Sequence, residues 1–385
     1  MNDIQLPIEN EENDFEYERD QEIIVYSRDW TVQTIVSQIE QGNIDLNPKF
    51  QRRNAWKDDK RIRLVESLML KYPVPEIVLA ERKDRKRSFI VIDGKQRLQT
   101  LAGIYLSGKY NIWSTDHFPK SKLLPGLSDV TLENFLTDPK LSDQKRLLDN
   151  ADIRCTIISN YSSEDVLYDI FYRLNMGSTP LSSQELRQVL NKGKFSEYLL
   201  EFTDTPQPIH KVIDIEKSDD RLMDADLVLR CLAFLLNGQA YRGNQRLFLD
   251  EFVKLGNSEW ETAKDKYIDG IHVVMKAIDF LGKLIGYQNI GRKLKGEDFD
   301  WRFNKVLFEV QVLFATHMED LVFQNEETEK YLLGLRKILE NNTEFRQSIE
   351  STTKSMERYK ARYSIYEAFF REIFGEAVKY RPPEW

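Results

Sequence analysis

Histidine and cysteine are scarce in this chain of 385 residues, which holds four of the first and two of the second. His117, His210, His272 and His317 stand far apart, and no His-x-x-His or Cys-x-x-Cys spacing occurs, so zinc chemistry built on clustered ligands is excluded. Cys155 and Cys231 lie in separate apolar runs and read as buried thiols, not as a disulfide framework. Also missing are a Walker A sequence and a Gly-x-Ser-x-Gly elbow, which removes P-loop and serine-hydrolase readings. No apolar run approaches the roughly 18 residues that a membrane span needs. The acidic start, MNDIQLPIENEENDFEYERDQE, lacks the basic and apolar segments of a signal peptide. The expectation is a cytoplasmic protein without membrane contact.

What is present is a 41% hydrophobic, 11% aromatic chain, ample for sizeable cores, with a net charge of −8 that misleads as an average. Residues 1–22 carry nine acids against Arg19, −8 by themselves, so the remainder is neutral. Within that remainder, residues 49–97 hold fifteen Lys/Arg against seven Asp/Glu, a local +8. An acidic tail beside a basic domain either screens a polyanion site or keeps the chain soluble.

Residues 1–27 read as an acidic, flexible tail. An α+β domain follows over 28–160. It comprises an amphipathic helix within 29–46, a helix from Asp58 to Leu70, a hairpin over 76–93, a helix over 94–107 and a β run at 152–159. Residues 161–215 read as a helical connector, with Ser182 and Glu185 in capping-box spacing. Long periodic segments over 216–385 predict an all-helical C-terminal domain, so the fold class is α+β with a mostly helical C-terminal part. Asp224 and Asp226 precede an apolar run, where helix-start acids are expected.

The stretch VIDGKQRLQTL, residues 91–101, is the strongest candidate site. An apolar strand meets Asp93-Gly94, and Leu98, Leu101, Ala102 and Tyr105 then recur at helical spacing. Asp93 is the expected N-cap and Gly94 the turn. Lys95 and Arg97 fall in the first turn, where the macrodipole disfavours cations. Free N–H groups at a helix start bind phosphate, so these cations suit a bound anion. The alternative is a surface turn whose cations point into solvent. KFQRRNAW supplies a second basic loop, in which Gln51, Arg52 and Arg53 precede Trp56. In RLNMGSTPLS, Asn175 and Ser178 are candidate nucleotide or metal ligands, although a capped interhelical turn explains nearly every residue there.

Taken in order, LNPKFQRRNAW, LVESLMLKYPVPEIVLAE, FIVIDGKQRLQTLAGIY, FYRLNMGSTPLSSQEL and RLMDADLVLRCLAF resemble the ParB/sulfiredoxin-related N-terminal domain of GmrSD-type, modification-dependent restriction and antiphage proteins. The resemblance covers residues 28 to about 240. It implies a ParB-like fold and binding of a nucleoside triphosphate with Mg²⁺. Gln51, Arg52 and Arg53 fall in its first box, and Gly94, Lys95 and Arg97 hold phosphate in its second. Asp93 and Gln96 act on metal or water, Asp93 as metal ligand, and Asn175 joins the nucleotide set. In the relatives the second motif usually reads Asp-Gly-Gln-Gln-Arg and supports nucleotide hydrolysis that licenses DNA cleavage. Here Lys95 replaces the first Gln, which puts hydrolysis in doubt. Relatives that cut DNA alone append an HNH nuclease. None is legible here, since His117-Phe118-Pro119 has the wrong spacing and His317 lies in a helix-like run.

The resemblance therefore implies an NTP-responsive defence component that contacts DNA. Its alternatives are a non-enzymatic DNA-binding adaptor recruiting a separate nuclease or defence partner, and a metal-dependent nicking enzyme. Homo-oligomerisation is compatible with each.

Overall fold

The computed structural model describes residues 23–46, 56–175, 182–216, 218–219, 221–350 and 355–383. The chain divides between Leu190 and Asn191 into two compact units. That division falls inside residues 161–215, the stretch read as a helical connector.

The first unit is an α+β layer structure. Its elements are β1 (Ile24–Thr31), α1 (Val32–Glu40), α2 (Asp58–Met69), β2 (Ile77–Glu81), β3 (Phe89–Asp93) and α3 (Lys95–Tyr105). Then come α4 (Leu132–Thr137), α5 (Ser142–Asp149), β4 (Asp152–Ser159), α6 (Glu164–Asn175) and α7 (Ser183–Leu190). The strands form one sheet in the order β1-β4-β2-β3, with β2 and β4 parallel and the outer pairs antiparallel.

Alternation along the strands fills two cores. Ile77, Leu79, Phe89, Val91, Ile153 and Cys155 pack with α1–α3 on one face, around Ile35, Val65 and Leu101. Val78, Ala80, Ile90 and Ile92 pack on the other with Leu167, Phe171 and Leu186 of α6 and α7. Burial on both faces explains why β2 and β3 read as continuous apolar runs. The predicted capping box is formed: Glu185 Oε2 accepts from the Ser182 amide at 2.6 Å, and Ser182 Oγ accepts from the Glu185 amide at 3.1 Å.

One correction concerns the tail, since residues 24–27 belong to β1. The strand is at the sheet edge, and Ile24 and Val25 are exposed, so it lacks the half-buried alternation that marks a strand.

The second unit is mostly helical. It holds α8 (Lys194–Thr203), α9 (Pro208–Val212), α10 (Met223–Asn237) and α11 (Gln245–Ile285, kinked at Ala263). The hairpin β5 (Arg292–Lys295) and β6 (Asp298–Phe303) follows, then α12 (Lys305–Phe314), α13 (Asn325–Asn341), α14 (Thr343–Glu350) and α15 (Met356–Phe374). The hairpin overturns the all-helical expectation. Its charged residues hide the Phe299, Trp301, Phe303 alternation, and Asp300 is buried on hydrogen bonds to Lys295 and Arg302. Asp224 and Asp226 do lie in the first turn of α10. Asp224 also bonds His210 Nε2 at 3.2 Å, while His210 Nδ1 accepts from the Gln207 amide. That acceptor role leaves the proton of a neutral ring on Nε2, facing the carboxylate.

Candidate functional site

The corner between β3 and α3 is shaped by a bulge. Val78 faces Asp93 while Leu79 faces Val91, so Ile92 is the extra residue and the end of β3 is re-aimed. Gly94 follows at φ 94°, ψ 11°, in the left-handed region where glycine carries no side-chain penalty. Its missing side chain is also required by space, since a Cβ would lie 3.0 Å from Ile77 Cγ1 and 3.3 Å from Ile77 Cα.

Gly94, not Asp93, is the N-cap, and no side chain caps α3. The first intrahelical bond runs from the Leu98 amide to the Gly94 carbonyl at 3.0 Å, which leaves the amides of Lys95, Gln96 and Arg97 without helical acceptors. The first turn contains no acid. It therefore presents amide donors and a positive dipole end with nothing built in to neutralise them.

Asp93 has a different partner. Its Oδ2 accepts from Arg97 Nη2 at 2.9 Å, and the same nitrogen donates to the Glu76 carbonyl at 2.9 Å. The Arg97 side chain is only 11% exposed, so this guanidinium is a clasp joining β2, β3 and α3. Its Nε is buried without a partner. Lys95, half-buried beside it, makes no ion pair with a described residue. The two first-turn cations thus differ in kind, one committed to the fold and one available.

A hydrogen-bonded ledge extends from the clasp across the sheet. Thr156 Oγ1 donates to Glu76 Oε2 at 2.7 Å and lies 2.8 Å from Ser27 Oγ. Arg154 grips Asp29 through Nε at 3.0 Å and Nη2 at 3.2 Å. Neither Glu76 nor Thr156 carries a sequence signal, because the partners are 80 positions apart.

Among the expected site residues, Asp93, Gly94, Lys95, Gln96 and Arg97 meet at this corner. Asn175 closes α6. Gln51, Arg52, Arg53 and Ser178 lie outside the described residues. The basic region is divided: Lys83, Arg85, Lys86 and Arg87 are exposed in the β2–β3 turn, at the opposite end of the hairpin from Lys95.

No group of three or more His, Cys, Asp or Glu able to hold a metal occurs among the described residues. The donor set fits Mg²⁺ only as an ion carried on phosphate oxygens and touched by one carboxylate, a mode Mg²⁺ commonly adopts.

Sheet, bulge and uncapped helix define an α+β domain that presents an anion-competent helix start. Residues 32–191 match the family model of the GmrSD restriction endonuclease N-terminal domain, and this segment belongs to that family. The match runs from the start of α1 to just past α7 and carries the character of a restriction and defence protein. No curated protein and no solved structure matches the chain. No described helix is long and apolar enough to cross a membrane.

Proposed function

We propose that the β3–α3 corner binds the polyphosphate of a nucleoside triphosphate and that the chain is the nucleotide-responsive part of a defence system. The supporting observation is the uncapped start of α3, with Lys95 unpaired and Arg97 neutralised. The α3 amides and Lys95 hold phosphate oxygens. Arg97 keeps the corner in shape, and Asp93, 37% exposed beside it, touches phosphate-borne Mg²⁺ through its other oxygen. Gln96, in the same turn, orients water or the γ-phosphate. Bound Mg²⁺ supplies charge neutralisation on the phosphate oxygens.

A DNA contact is a second part of this reading, favoured by a separate observation. The exposed cations of the β2–β3 turn sit about 15 Å from the corner, taking a rise of about 3.3 Å per residue along β3, so nucleotide and DNA backbone need not compete. Titration of the full chain with ATP, GTP and CTP plus Mg²⁺ tests the proposal. Micromolar binding of at least one, weakened tenfold or more by Lys95→Ala, is expected. Absence of binding to all three would leave the adaptor reading in its place.

A further inference from the structure

A second side of α3 is buried, and it is not apolar. Gln96, Gln99 and Gly103 recur at i, i+3 and i+7 and so share one stripe beside the Leu98–Leu101–Ala102 stripe. Gln99 is 1% exposed and its Oε1 has no hydrogen-bond partner. The Oε1 of Gln96, one turn nearer the corner, is likewise buried and unpartnered. At Gly103 a Cβ would lie 2.5 Å from Ile112 Cγ1 and 2.9 Å from Trp113 Cδ1, so the bare backbone lets the indole lie against the helix. The indole Nε1, bonded to that Cδ1, is buried without a partner as well. Arg61, whose Nε is also unpartnered, holds its guanidinium 6.0 Å from the Trp113 ring centre.

Buried polar atoms are nearly always hydrogen-bonded, and each orphan costs free energy. Two unmet acceptor oxygens on one stripe of α3, and an unmet donor on the indole packed against Gly103, are polar groups of the kind that a ligand with N–H donors and an acceptor satisfies. We infer that Gln99 is a specificity-determining residue of the nucleotide site, its Oε1 accepting from the exocyclic amino group of a nucleobase. Adenine and cytosine are then favoured over hypoxanthine and uracil, which offer a carbonyl oxygen at that position. A site built to receive an N–H group rejects analogues lacking it far more strongly than an apolar pocket does. These oxygens are sealed from solvent in the free chain, so the flank of α3 must open to admit the base. The inference rests on the phosphate reading above for its ligand.

Its test is calorimetric titration of the full chain, wild type and Gln99→Met, with ATP against ITP, CTP against UTP, and inorganic tripolyphosphate as a base-free control. Wild type is expected to prefer the amino-bearing member of one pair by tenfold or more. Gln99→Met should erase that preference, keep the tripolyphosphate affinity and melt no lower than wild type. An equal response to both members of each pair, or a preference that survives Gln99→Met, overturns the inference and leaves ordered water as the partner of these oxygens. Gln99→Leu provides the same comparison if Gln99→Met does not fold. Failure of tripolyphosphate to bind, with the amino preference present and lost in the variant, would refute the phosphate reading and leave the base reading standing.

Discussion

A single nitrogen of Arg97 serves two acceptors, lying 2.9 Å from Asp93 Oδ2 and 2.9 Å from the Glu76 carbonyl oxygen. One side chain on α3 thereby fixes the end of β3 and the entry to β2. The cation that appears misplaced for the helix dipole is compensated by the carboxylate four residues before it.

Arg97 and Lys95 should therefore separate in their effects. Arg97→Ala removes a charged donor from two acceptors and is expected to cost about 1.5–3 kcal/mol in urea unfolding of the full chain. Lys95→Ala removes an unpaired cation from a helix start and should leave stability unchanged or raise it by a few tenths of a kcal/mol. Equal losses for the two variants would show that Arg97 is no clasp.

Gly94→Ala tests the corner from the backbone side. The left-handed φ and the 3.3 Å approach to Ile77 Cα strain any Cβ, so a loss of about 1–2 kcal/mol is expected. Because α3 must shift to relieve the contact, phosphate affinity should fall with stability. A variant that binds and melts like wild type would remove the geometric case for the site.

The two cysteines report on the two units. Burial first, then the charges of Asp29 and Glu76, push the Cys155 thiol up to about 12. Burial and Glu309 raise Cys231 well above its ordinary value against the opposing effect of Arg230. Both thiols should resist iodoacetamide at pH 8 in the native chain and react on unfolding, each marking its own unit. A folded pKa above the unfolded value near 8.5 means stability is full below that pH and is lost as pH rises toward about 12. Cys155→Ala should flatten the part of that alkaline slope that Cys155 contributes, read from urea midpoints between pH 8 and 11.

The C-terminal unit turns on a buried carboxylate. Glu309 Oε2 accepts from Arg230 Nε at 2.5 Å, its Oε1 accepts from the Tyr363 hydroxyl at 3.0 Å, and Arg362 lies 3.9 Å away. Glu309→Ala takes the buried carboxylate away from two buried guanidinium groups and should cost about 3–5 kcal/mol. Labelling of Cys231 should accelerate in this variant while labelling of Cys155 does not. Equal acceleration of both would show that the units unfold as one.

Much of the first unit was legible because its signals are local. The FIVI strand, the 58–70 helix and the Ser182/Glu185 box each depend on neighbours in sequence, and all three form as read. The strand β1 escaped because a sheet edge leaves Ile24 and Val25 in solvent. The β5–β6 hairpin escaped because its charged residues are satisfied by one another through Asp300. Within the candidate site, the motif residues 93–97 lie together at one corner, but Asp93 was read as a cap when its carboxylate is held by Arg97. Glu76 and Thr156 could not be found, since only the parallel pairing of β2 with β4 brings them together. Gln99 carries no signal in the sequence, and its burial comes from tertiary packing.

The most direct measurement is the affinity of the full chain for Mg²⁺-tripolyphosphate at low salt, wild type beside Lys95→Ala. The account requires measurable binding that falls tenfold or more in the variant while its melting temperature holds. Equal affinity in the two proteins, or no binding in either, would contradict the assignment of the α3 start as a phosphate site.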